Sequence, residues 1–135
     1  MDKLNETHYF ATPVYMVRKP EFLETVRSVS NRYVEASKKR KKGKKYVNLM
    51  TASYIREPEI QEFAQYISQT AWNILAAQGF KMDNLITFFT EMWTQEHNNM
   101  SSMETHVHGR GAQISAFYFL DAPKSGCKMV IHDPR

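Results

Sequence analysis

Only one cysteine, Cys127, stands among the 135 residues. An intramolecular disulfide is therefore excluded; a reducing cytoplasm fits, with a buried strand thiol as the simplest role. No apolar run approaches the roughly 20 residues that a membrane span needs. The opening MDKLNETH has no apolar core behind its charge, so no export signal is read there. The chain is expected to be soluble and cytoplasmic. There is no Gly-rich phosphate loop, no Cys-x-x-Cys pair and no serine nucleophile elbow, which removes the grounds for NTPase, zinc-ribbon and hydrolase readings.

What is present suits a globule. Apolar residues make up 42% and aromatic residues 13%, enough to drive burial rather than disorder. A chain of this length forms one domain, 1–135, and buries about two-thirds of its unfolded surface. The net charge of +4 suggests a nucleic-acid partner, but seven of the 18 basic residues lie in one run: Lys38, Lys39, Arg40, Lys41, Lys42, Lys44 and Lys45. Outside that run acidic residues outnumber basic ones. No aromatic residue interleaves the run, so it has no stacking platform for bases. Two readings stand: a solvated loop, or a contact for an anionic partner, with nucleic acid allowed but not favoured.

Along the chain, His8 to Val17 is β-branched and aromatic around Pro13, which cannot donate to a ladder; an edge strand or extended arm is predicted. Pro20 suits a first helical turn, and Phe22, Val26, Val29 and Tyr33 follow at helical spacing, so a helix is predicted over about 20–37. Residues 46–55 read as a strand or an irregular connection. A second helix has Pro58 at its start, Gly79 at its stop, and Ile60, Phe63, Ile67, Ala71, Ile74 and Leu75 on one face. Trp72 is assigned to its packing. From Leu85 to Gln95 the period is two, with large apolar groups on both faces, which predicts a central strand covered on each side. Residues 97–103 read as a loop, and 112–120 and 127–132 as two further strands.

The chain's organising stretch is Glu104 to Arg135, where His106 and His108 are one residue apart. On an extended segment such side chains share a face, with Cα atoms roughly 7 Å apart. Two imidazoles so placed can converge on one metal ion, and imidazole suits Fe(II), Zn, Ni and Cu. Glu104 shares the face, but its Cα is about 13 Å from that of His108 on a straight strand; a hydrogen bond to an imidazole N–H suits it better than a place on the ion. His97, His132 and Asp133 are further ligand candidates. The competing reading makes His106 and His108 ordinary polar residues on an exposed strand face, and His8, His97 and His132 ordinary as well.

Around these histidines the sequence runs His106-Val107-His108, then Ser115-Ala116-Phe117-Tyr118-Phe119-Leu120, then Pro123-Lys124-Ser125-Gly126, then Asp133-Pro134-Arg135; near the start stands Phe10-Ala11-Thr12-Pro13-Val14-Tyr15. This pattern resembles the Fe(II)/2-oxoglutarate-dependent oxygenases, in particular the families common in marine bacteria and their phages. The resemblance implies an α+β fold, a double-stranded β-helix of jelly-roll or cupin type. The N-terminal strand and two helices of 1–80 would buttress one sheet, and 81–135 would supply the first barrel strands. It also implies Fe(II) and 2-oxoglutarate as cofactors, with His106 as first ligand and His108 where most of the superfamily carries a carboxylate. The keto acid and O2 would take the open positions, giving succinate, CO2 and an oxidant for unactivated C–H bonds. Ser115 and Tyr118 could face the keto acid, although core packing competes for Tyr118. A neutral imidazole in place of a carboxylate leaves the site at +2 rather than +1 and harder to oxidise; the branch resembled uses His-x-His itself.

The resembled barrel continues beyond Asp-Pro-Arg and there supplies a distal histidine and a basic keto-acid anchor. In this sequence Arg110 and Arg135 are the only nearby arginines that could stand in. Half a barrel leaves unpaired edges and an open apolar face. Three explanations compete: a fragment of a longer product, which is the expectation; a second copy that completes the sheet as a homodimer; or a short descendant without the chemistry. The alternative functions are a catalytically silent jelly-roll binding or assembly module that uses the basic loop, and a cupin-type Zn or Ni protein.

Overall fold

Pro20 and Pro58 each open a helix in the computed structural model, which describes residues 12–109, 111–124, 126 and 129–132. Proline is tolerated there because the first N–H groups of a helix have no partner within it. Each heads a 3₁₀ turn, Pro20–Phe22 and Pro58–Ile60, that runs into a longer helix: α1 over Leu23–Arg40 and α2 over Gln61–Ala77. Both helices stop through left-handed residues. After α2, Gly79 at φ +91° lets its own N–H reach Ala76 O and the Phe80 N–H reach Leu75 O, so that two terminal carbonyls are satisfied. After α1 the same position is held by Lys42 at φ +51°.

The apolar stripes meet as the spacing predicts. Val26 and Val29 of α1 are buried with Tyr54, Ile60, Phe63, Ala64 and Met92. Ile60 is 0% exposed. Phe22 sits against Phe63 and Tyr66, with ring centroids 5.3 and 5.5 Å away. Polar ties hold the same seam: Arg32 reaches Glu57 at 2.9 Å and Glu59 at 2.8 Å, and the Tyr33 hydroxyl donates to Glu57 at 2.6 Å.

Against this pair lies one small antiparallel sheet, β1 over Asn48–Met50 and β2 over Gln95–His97, with Leu49 opposite Glu96. Beyond β1 the pairing continues in altered form. Thr51 N–H donates to Thr94 O (3.0 Å) and Tyr54 N–H to Met92 O (2.9 Å). The return bonds from the Thr94 and Met92 N–H groups go to the hydroxyls of Thr51 (3.0 Å) and Ser53 (3.2 Å) instead of to carbonyls.

The double-stranded β-helix expected from the sequence does not form. The described residues build two helices and a single two-stranded sheet, unclosed. Apolar alternation makes a strand only where the backbone finds a ladder partner, and of the segments read as barrel strands 112–120 and 127–132 find none among the described residues. Residues 85–95 were expected to be covered on both sides, yet Leu85, Ile86 and Phe88 are exposed, while Met92 is buried and Phe89 packs at the edge of the core. Residues 112–120 and 129–132 have no strand structure. The alternation of 112–120 nevertheless directs Tyr118 and Leu120 onto the helices. Arg27 holds Leu120 O at 2.6 Å, and the Tyr118 hydroxyl donates to Lys19 O at 2.6 Å. The N-terminal arm is irregular from Thr12 to Lys19, and the Tyr15 hydroxyl accepts from Gln78 Nε2 at 3.3 Å.

Candidate functional site

His106 and His108 lie on the extended, exposed stretch 102–109. Their rings are 5.5 Å apart at 65°, edge to face. His106 Nδ1 stands 2.9 Å from Glu104 O. A carbonyl oxygen can only accept, so Nδ1 carries the proton and Nε2 keeps its lone pair. Ligating histidines are typically fixed by such a bond from the other ring nitrogen. It is the main-chain carbonyl of Glu104, not its carboxylate, that does this. Trp93 flanks the pair, 6.3 Å from the His108 ring; sequence reading placed Trp93 only on a strand face, and no local signal links it to His108.

The other described candidate ligands bond to hydroxyls. His132 Nε2 is 3.5 Å from Thr105 Oγ1, and His97 Nδ1 is 3.1 Å from Ser101 Oγ. Asp133 and the stand-in arginines Arg110 and Arg135 lie outside the described residues, as does Cys127. No group of three His, Cys, Asp or Glu able to hold a metal occurs among the described residues. Among the described residues His106 and His108 therefore have no third such donor beside them. Of the residues assigned to the keto acid, Ser115 is exposed. Tyr118 packs its ring 4.9 Å from Phe63 and has donated its hydroxyl to Lys19 O.

An open groove of about 440 Å³ lies at the basic turn, lined by Lys38, Gly43, Lys44, Lys45, Tyr46 and Asn98. Glu96 of β2 ties two of these lining residues together. The Tyr46 hydroxyl donates to Glu96 at 2.6 Å and Lys38 Nζ lies 3.1 Å from the same carboxylate. Glu96 is held below the usual carboxylate range by the Tyr46 hydrogen bond and then by Lys38, against the cost of burial. In turn the Tyr46 phenol and the Lys38 ammonium are pushed up by their bonds to Glu96. Lys41 lies over the Tyr46 ring at 5.5 Å. Of the seven cations in the run, Lys38 is therefore partly neutralised, while Lys39, Arg40, Lys41, Lys42, Lys44 and Lys45 are exposed. Neither Asn98 on the groove wall nor Glu96 behind Tyr46 could be linked to the basic run from sequence, because both come from a segment some 50 positions away.

Among the described residues no helix is long and apolar enough to cross a membrane. In comparisons with known proteins, no family model, no curated protein and no solved structure matches this chain.

Proposed function

We propose that His106 and His108 bind a divalent transition metal, and that the chain belongs to a 2-oxoglutarate- and Fe(II)-dependent oxygenase acting on a C–H bond. One observation carries the metal site: the Nδ1–H of His106 is donated to Glu104 O, with the His108 ring 5.5 Å away. That arrangement leaves Nε2 of His106 as the free donor beside a second imidazole. The His-x-His, Pro-x-x-Gly and Asp-Pro-Arg segments support the choice of iron and keto acid. Bound Fe(II) with the keto acid would supply the activation of O2. The residues of this chain would hold and orient it: His106 and His108 as donors, the Glu104 carbonyl fixing one ring, and the Trp93 indole screening one side from water.

An anaerobic Fe(II) titration with and without 2-oxoglutarate tests this reading. A weak visible charge-transfer band that needs both additions, and that His106→Ala or His108→Ala removes, is the expected result. No band at saturating Fe(II) and keto acid overturns the oxygenase. Zn or Ni binding that needs both histidines and ignores the keto acid would keep the metal site and discard the chemistry.

A further inference from the structure

The chain exposes 11977 Å², whereas a compact monomer of 15.8 kDa exposes about 7,300 Å². Treating every residue outside the description as fully exposed chain removes at most about 3,000 Å² from the first figure and leaves an excess on the order of 2,000 Å². Large apolar side chains contribute to this exposure. Phe117 and Phe119 are 64% and 58% exposed, and Ile86 and Phe88 are 84% and 73% exposed. On both segments these residues lie outside any helix or strand and have no ladder partner among the described residues.

Monomers rarely leave apolar patches larger than a few hundred Å² uncovered. An excess of this size matches what one copy contributes to an obligate homodimer, on the order of 1,000–2,500 Å². The sequence of the segment also suits a partner identical to itself. Residues 112–120, AQISAFYFL, contain no charged side chain. Pairing the segment with its own copy about a two-fold axis therefore sets no like charges opposite one another.

We propose that 112–120 is the edge along which a second copy of this chain docks, antiparallel, covering Phe117 and Phe119 of each copy. Tyr118 and Leu120 stay on the helices of their own chain. The free edge gains ladder hydrogen bonds, and the outward phenylalanines gain cover.

Sedimentation velocity over a concentration series tests the proposal, with amide hydrogen exchange at 113–119 followed in parallel. The expected result is a dimer that dissociates on dilution, with exchange at 113–119 slowing as the dimer forms. The double variant Phe117→Asp, Phe119→Asp should sediment as a monomer while keeping the helical circular dichroism of the parent. A parent chain that stays monomeric at every concentration overturns the proposal, and so does a dimer whose formation leaves exchange at 113–119 unchanged. The exchange measurement decides the matter even if the double variant fails to fold.

Discussion

Thr94 ties three elements together with one hydroxyl. Its Oγ1 meets Ser30 of α1 at 2.7 Å and the Tyr54 hydroxyl at 2.9 Å, and its carbonyl accepts from Thr51. Thr94→Val keeps the shape and strands two partly buried hydroxyls, so unfolding in urea should show a loss of about 1–3 kcal/mol. Glu96 is a different kind of tie. Its folded-state pKa is lowered, so its contribution is complete above the ordinary carboxylate range and is lost as pH falls through the lowered value. Glu96→Gln should cost under about 1 kcal/mol at neutral pH, because the pair is part exposed, and should flatten the acid side of the stability profile; an unchanged profile would show that the carboxylate is idle. At this scale the sequence was readable where chemistry repeats locally. His106 and His108 stand side by side as their spacing implied. The Glu96–Tyr46–Lys38 cluster was illegible, since nothing in 38–46 points to position 96.

At the scale of elements, the helices were the legible part. Proline at the start and an apolar stripe are local signals that both helices obey, and Gly79 marks the stop of α2; α1 instead runs past the predicted end near residue 37 to Arg40, taking in the first three residues of the run read as a loop, and stops at Lys42, which no sequence signal marks. Gly79→Ala should cost about 1 kcal/mol, because a Cβ is strained at φ +91° while nothing lies within 4 Å of it. Lys42→Gly is expected to do the reverse and stabilise by up to about 1 kcal/mol, by relieving a side chain at φ +51°; thermal melts of both variants check the pair. Strands were legible only in part. Core packing, one of the two readings open for Tyr118, is what the structure has, but pairing depends on a partner far along the chain, which periodicity does not encode. The run 85–95 misled because large residues on both faces read as double cover, whereas the structure covers only its Met92 end.

For the whole molecule, order should follow contact. The core joins α1, α2 and residues 49–54 and 89–94, while the described residues of 100–116 and 121–132 touch it little. Native-state hydrogen exchange at high dilution should therefore protect 60–75 most and leave 100–109 near the rate of free chain; strong protection at 100–109 would contradict this layout. The jelly roll was the reading that failed, because it required long-range pairings inferred from short motifs. The seam between β1 and β2 has a consequence in time rather than in space. Leu49, buried opposite Glu96, must wait for a segment made after the whole of α2. Because chains fold from the N-terminus as they are synthesised, both helices are complete while Leu49 is still wet. A pause in synthesis between Gln78 and Thr94 would hold the nascent chain at a stage with its helices made and its sheet impossible.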